Sequence, residues 1–294
     1  MPIKLTPTGV LSFEDCPRQY DYRYVLKAKR RVASTNLVFG QVVHEVLEQY
    51  LRAWLKGQAV DLVAMFTTCW QQKTANLELE YPSQWSPDDL LATGQSLMQQ
   101  FPAVWAQTGF IPVIDANGEP LIERHLKAIV APGVTLSGKL DVVVLDRDLM
   151  IHVLDFKTPS QLSPEGFPAH ADQLAAYQVL LEAHAQPLGL PDDERLLAGL
   201  GFMELVKRKM PASCRGQGPT IATPVLAPAL QPAAIEEYCQ KLQWIAEDIQ
   251  AGRFPKRSRM AHNTPCTTCD FRQHCWTGLD PELVFPNQPE KPVS

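Results

Sequence analysis

Two periodicities divide the chain. Over Asn36 to Gly57 the apolar positions Val43, Leu47, Tyr50 or Leu51, and Trp54 recur at the spacing of one helix face. Asp61 to Glu80 and Pro87 to Gln107 read as two more helices, with Asp61, Pro82 and Pro87 as caps or breakers and Trp70, Leu77, Leu91, Leu97, Phe101 and Trp105 as core. Ser12 to Val25 opens on Ser-x-x-Asp (Ser12, Asp15), a helix N-cap signature, and sets Tyr20 and Tyr24 one turn apart toward the core. Ala171 to His184 carries Leu174, Tyr177 or Gln178, and Leu181 at helical spacing. Ala233 to Ala251 places Ile235, Tyr238, Leu242, Ile245 and Ile249 on one side.

The middle of the chain reads as extended. Leu121 to Val130 is a strand with Glu123 near its start and His125 and Lys127 on the same face. Ser137 to Thr158 is two strands joined by a tight turn. Val142 to Leu145 form the first apolar run, Ile151, Val153 and Leu154 the second, and Asp146-Arg147-Asp148 supplies the turn. Leu196 to Val206 is another strand, with Ile221 to Leu226 returning beside it. Strands followed by a helix and a further strand predict an α/β fold, a mixed central sheet flanked by helices.

Asp141, Asp155 and Lys157 interrupt the apolar runs of the hairpin. A buried charge is costly unless it is paired or coordinates a metal. Asp155 and Lys157 are two apart and so share a strand face. Two carboxylates and a lysine on one face suit a divalent metal and a polarised phosphate. This requires Asp141 and Asp155 to leave the same face. A regular hairpin meets that condition only if its turn holds an odd number of residues.

Several motifs follow one another in a fixed order: S-F-E-D-C-P-R-Q-Y at Ser12–Tyr20, G-x-x-x-H at Gly40–His44, G-K-L-D at Gly138–Asp141, L-D-F-K-T at Leu154–Thr158, Q-x-x-x-Y at Gln173–Tyr177, and C-x2-C-x5-C at Cys266–Cys275. In that order they resemble the PD-(D/E)XK nucleases of the RecB/AddB branch, which includes the CRISPR-adaptation exonucleases with an iron–sulfur cluster. The resemblance runs in patches from about Leu11 to Trp276 and omits Gln58 to Phe110 and Pro211 to Leu230. It implies one restriction-endonuclease-like domain over residues 1–280, with a helical insertion at about 58–110, an iron–sulfur segment at 261–277 joined to Cys16, and a tail at 281–294. It implies that Asp141 and Asp155 hold Mg2+ or Mn2+, with His44 and the carbonyl after Asp155 as further ligands. Lys157 would orient the attacking water or offset developing charge. Glu123 would be the acidic residue of the preceding strand. Gln173 and Tyr177 would orient DNA or the metal-bound phosphate. Cys16, Cys266, Cys269 and Cys275 would bind a [4Fe–4S] cluster.

Composition refines this picture. With 294 residues, 45% hydrophobic and 20% charged, the chain suits a soluble globular protein with a large core. No apolar run spans a bilayer and the N-terminus lacks a signal-peptide core, so a cytoplasmic, membrane-free protein is expected. The net charge of −5 is not the usual footprint of a nucleic-acid binder. Three basic runs remain as phosphate contacts or solvated surface: Lys27, Lys29, Arg30 and Arg31; Lys207, Arg208 and Lys209; Lys256, Arg257 and Arg259. From spacing alone the three clustered thiols fit zinc or iron–sulfur, with His262 or His274 as the fourth ligand of a zinc site. Cys69, Cys214 and Cys239 are expected to take no part. The expected activity is a metal-dependent DNA exonuclease on single-stranded or end-opened DNA, serving repair, recombination, CRISPR adaptation or phage and defence processing, in a larger protein complex or alone. Two other classes stay open: a non-catalytic DNA-binding or assembly subunit on the same fold, and a small-molecule hydrolase with a zinc knuckle.

Overall fold

The computed structural model describes residues 2–164, 166–191, 197–213, 216–257 and 264–286. Its main strands, numbered in chain order, are β1 (Ile3–Leu5), β2 (Ile122–Ala131), β3 (Val134–Leu145), β4 (Ile151–Lys157), β5 (Leu197–Val206) and β6 (Val225–Pro228). Its main helices are α1 (Pro7–Asp15), α2 (Thr35–Leu55), α3 (Leu62–Thr74), α4 (Pro87–Thr108), α5 (Asp172–Glu182) and α6 (Pro232–Gln250). The chain forms two compact units: Met1–Val32, Ile129–Ser137 and Glu236–Ser294 in the first, Ala33–Ala128 and Gly138–Ile235 in the second.

The second unit is built around strands that are apolar on both faces. Val142, Val143, Val144, Val153 and Leu154 are fully buried, as expected of strands covered on each side. β4 pairs antiparallel with β3 and parallel with β5; β2 flanks β3, and β6 runs antiparallel to β5. α2 buries Val38, Phe39, Val42, Val43, Val46, Leu47 and Leu51 in the same cluster as Val142, Val144, Leu154, Phe156, Met203 and Leu205. α3 and α4 add Phe66, Trp70, Leu97, Phe101 and Trp105 to that core. Trp54 and Leu77 depart from expectation: both are exposed, because the apolar stripe of α2 ends at Leu51 and α3 stops at Thr74, short of Leu77.

The hairpin register is set by its turn. Leu145 pairs with Ile151, so residues 146–150 form the loop, an odd number. Asp146 closes it: its Oδ1 accepts from the backbone N–H groups of Asp148 and Met150, both at 2.9 Å, and its Oδ2 meets His152 Nε2 at 2.8 Å. Val142 pairs with Leu154, and the next position on that register sets Asp141 opposite Asp155.

In the first unit, β1 lies parallel to Val134–Leu136. The N-terminal helix does not begin at Ser12. Thr6 caps it through Gly9 N at 3.1 Å and Pro7 occupies its first turn, a start that fixes φ at no cost in lost donors. Ser12 is buried inside α1, which ends at Asp15 because Pro17 forces Cys16 into an extended conformation. A short helical turn, Pro17–Tyr20, and a wider one, Asp21–Val25, follow. Tyr20 packs with Phe13 and Phe254, and its ring lies 4.9 Å from that of the half-buried Tyr24. Among the described residues no helix is long and apolar enough to cross a membrane.

Gly94 marks the crossing of α3 and α4. A Cβ there would fall 2.0 Å from the Phe66 ring. Gly94→Ala is therefore expected to lower stability by about 1–3 kcal/mol through overpacking, more than the gain of ~1 kcal/mol that alanine brings to a helix. A urea midpoint equal to or above that of the parent protein refutes this packing account.

Candidate metal centre

Two buried carboxylates define the site. Asp141 is 4% exposed and Asp155 1%. Asp141 sits where the β3–β4 ladder ends, and its Oδ2 accepts from the Phe156 N–H at 2.7 Å. A side chain thus takes the place of the next backbone acceptor. On the other flank His44, projecting from α2, places Nδ1 3.2 Å from Glu123 Oε1 and 3.4 Å from Asp141 Oδ2. The ligand atoms of His44, Glu123 and Asp141 all lie within 4.8 Å of one another.

Glu123 reaches the site through an unusual backbone. Its φ of 51° is left-handed, which costs on the order of 1–3 kcal/mol for a residue with a side chain. The strand alternation breaks there. Its carboxylate is only 6% exposed, whereas His125 and Lys127, expected on the same face, are exposed to solvent. Lys139 of β3, two residues before Asp141 and on its face, pairs with Glu123 Oε2. Sequence reasoning passed over Lys139, although its place in G-K-L-D carried the signal.

Asp155 is held from α5. Its Oδ1 accepts from Gln173 Nε2 at 2.9 Å and from Tyr177 OH at 2.8 Å. Gln173 Nε2 also donates to Tyr177 OH at 2.6 Å, and Gln173 Oε1 accepts from Lys157 Nζ at 2.7 Å. The i, i+4 pair on α5 therefore engages both members of the D-x-K motif. Lys157 Nζ lies 2.7 Å from Asp155 Oδ2, but off the direction of a hydrogen bond, so that oxygen has a charge beside it and no donor. Glu123 Oε2 is in the same condition.

Burial, and next the charge of Asp155, push the Asp141 carboxyl up to about 6. Burial disfavours a charged His44, but hydrogen bonds and charge from Asp141 and Glu123 outweigh it and lift the imidazole to about 10. Burial also raises Glu123, yet His44 and Lys139 hold it below its ordinary value. Tyr177 is driven well above the usual tyrosine range by burial and the two aspartates, which keeps it a donor. Buried carboxylate oxygens without donors, next to one imidazole, are a donor set that fits a hard divalent cation. Of these residues His44, Glu123 and Asp141 bring their donor atoms close enough together to hold one ion.

The thiols lie in the first unit. Burial raises the Cys269 thiol; a hydrogen bond at Phe271 opposes this, and the charges of Cys16, Asp270 and Cys266 add to it. Cys16, at the break between α1 and the next turn, is therefore close enough to Cys269 for the two to interact. Cys275, with Cys269, packs on the cluster of Tyr22, Ala28, Phe271 and Leu283. All four cysteines are free and half-buried. His274 meets the Tyr22 ring edge-on and lies tilted against Phe285. Cys214, His262 and Arg259 lie outside the described residues. Of the basic runs, Lys207 is buried, Lys209 pairs with Asp89, and Lys256 and Arg257 donate to the carbonyls of Cys275 and Asp15.

A family model described as the PD-(D/E)XK nuclease superfamily matches residues 4–276. No curated protein matches the chain. Among solved structures it is similar to that titled "Crystal structure of SSO0001", at 14% identity and a TM-score of 0.38, over 94% of this chain and 87% of that one.

The protonation states set the pH dependence of metal binding. A metal ligand must be a neutral imidazole, whereas His44 stays protonated up to about 10 and Asp141 is ionised above about 6. Binding of Mn2+ at neutral pH should release a proton, and the apparent affinity should tighten as pH rises from about 7 toward 9. Calorimetry in buffers of different ionisation heat measures both. An affinity flat over that range, with no proton released, rules out His44 as the protonated partner.

Proposed function

The chain belongs to the PD-(D/E)XK nuclease superfamily, and from that membership we propose that it cleaves DNA as a Mg2+- or Mn2+-dependent exonuclease on single-stranded or end-opened ends. The observation that carries this reading is the placement of Asp141 opposite Asp155 on one hairpin face, with Lys157 beside them. His44, Glu123, Asp141 and Asp155 would hold the metal, which when bound supplies a more acidic water and offsets charge on the phosphate. Lys157 presents its ammonium to the attacking water or the reacting phosphate. Gln173 and Tyr177 act as positioning residues: one fixes the Lys157 ammonium, both fix the Asp155 carboxylate, and Tyr177 stays protonated to do so.

We assign a structural [4Fe–4S] cluster to Cys16, Cys266, Cys269 and Cys275. Its support is the interaction of Cys269 with Cys16 and Cys266, and the packing of Cys275 on the same aromatic cluster. Cluster binding would add folding free energy, since the unfolded chain has no preformed site. We place the protein in the cytoplasm, in DNA repair, recombination, CRISPR adaptation or phage and defence processing, with a protein partner in a larger complex. The clamped Asp155–Lys157 pair favours an enzyme over a non-catalytic subunit of the same fold.

Asp155→Ala and Lys157→Ala should each lower cleavage of 5′- and 3′-labelled DNA by at least ~10²-fold and leave the circular dichroism unchanged. Gln173→Ala should lose about 10–100-fold, as outer-shell partners of a metal ligand do. Parent protein that cleaves no single- or double-stranded DNA with Mg2+ or Mn2+ sinks the enzyme reading. Anaerobically purified protein should be brown. Cys16→Ser should lose iron, whereas Cys69→Ser and Cys239→Ser should keep it; zinc without iron in the parent protein overturns the cluster assignment.

A further inference from the structure

Lys207, the first residue past β5, is only 8% exposed, and its cation is used by nothing in the metal centre. Its Nζ donates to Asn36 Oδ1 at 2.6 Å and stands 5.4 Å from the centre of the Phe39 ring. Both partners are neutral, and among the described residues no carboxylate pairs with it. Burial lowers its pKa accordingly. Asn36 is exposed and lies in the first turn of α2, whose N-cap residue Ser34 makes no side-chain capping bond. The ammonium, held by the Asn36 side chain, therefore lies beside the first turn of a 21-residue helix. A cation and a helix N-terminus disfavour each other, and both favour an anion.

The surroundings point to which anion. Asn36, Gly40 and His44 are spaced four apart and share one face of α2. His44 meets Asp141. Gly40 faces Thr158, whose Oγ1 would lie 3.6 Å from a Cβ at that position. Asn36 meets Lys207. Opposite this helix face stand Asp141, then Thr158 just past Lys157, then Lys207, whose N–H donates to Pro159 O at 2.7 Å. β4 and β5 run parallel, so Lys157 and Lys207 both lie at carboxyl ends of strands, where open α/β sheets bind ligands. Eight residues of helical rise separate His44 from Asn36 by ~12 Å, a distance along which a strand gripped at the metal would still be passing.

We propose that Lys207, Asn36 and the first turn of α2 form a second phosphate site, which holds a phosphate of the DNA strand upstream or downstream of the bond at the metal centre. Gly40, midway between the two sites on this helix face, presents only its α-carbon toward Thr158. The site rests on the nuclease reading, and the phosphate is either a strand terminus or an internal diester.

The test uses the full protein with Ca2+ in place of Mg2+, and short single strands carrying a 5′-phosphate or a 5′-hydroxyl. Lys207→Met should weaken binding and reduce the slope of log K against log salt by about 0.7, one phosphate contact on a single strand. In Mg2+ it should raise KM and leave kcat unchanged, as expected when uniform binding is removed. Asn36→Asp gives the ammonium a carboxylate in place of phosphate: it should raise Tm and weaken DNA binding. Lys56→Met, which removes an exposed charge at the other end of α2, is the control and should leave slope and KM as they are. A loss confined to 5′-phosphorylated strands assigns a terminal phosphate; an equal loss on both assigns an internal one. If Asn36→Asp raises Tm while both variants bind DNA with the parent affinity and slope, Lys207 is structural and the proposal falls. If Lys56→Met lowers slope and affinity as much as Lys207→Met, the effect is general charge and the proposal also falls. Parent protein that binds neither strand overturns the nuclease reading itself, and the site with it.

Discussion

Two carboxylates forced to share one face of a buried hairpin are the constraint from which the rest of the site follows. Asp141 and Asp155 lie opposite one another and are almost without solvent. Burial and mutual repulsion both oppose their charge. Each is met by a different solution. Asp155 is saturated on one oxygen by uncharged donors, Gln173 and Tyr177, and faced by Lys157 on the other. Asp141 takes a backbone N–H from the neighbouring strand and the imidazole of His44. Removing one partner from such a set leaves an uncompensated buried charge, which is far more costly than the set is stabilising. The helices α2 and α5 are thus committed to their places against the sheet by polar contacts as well as by the apolar core.

The turn that closes the hairpin is part of the same constraint. An even loop would send one aspartate to the opposite face. Asp146 fixes the odd count by accepting from two backbone N–H groups within the loop and anchoring to His152. Leu149 adopts φ 62° inside this loop, a left-handed conformation that the Asp146 bonds hold in place. A local choice at the turn therefore decides whether two side chains some distance away can share a cation.

How much of this was legible from sequence depends on whether period or contact determines the residue. α2, α5, β3, β4 and β5 were readable because their apolar spacing and their burial agree. The parity of the loop could be stated as a condition in advance because it follows from the pleat alone. Glu123 could be named as a candidate but not placed: its left-handed φ is imposed by tertiary structure, and an alternating pattern cannot show it. The start of α1 was misread because Ser12-x-x-Asp15 and Thr6-Pro7 both carry N-terminal signals, and the proline at the first turn wins. Lys207 stands in a run that sequence leaves open between phosphate contact and solvated surface, and only the strand's position buries it with its Nζ over the Phe39 ring. The thiols show a general limit: spacing within Cys266–Cys275 is local and readable, whereas no local pattern ties Cys16 to them.

The charge balance of the site also explains how an acidic chain can manage a polyanionic substrate. The net charge is −5, yet Glu123, Asp141 and Asp155 face His44, Lys139 and Lys157 within one cluster. Carboxylates that are internally neutralised do not repel DNA as free ones would. A divalent cation held by these carboxylates would require a neutral His44 and would compete with Lys139 for Glu123. The groups that make the buried aspartates tolerable without metal are the ones a bound cation would compete with. Stability of the empty site and affinity of the filled one are for that reason opposed, and a substitution that removes Lys139 would shift weight from the first to the second.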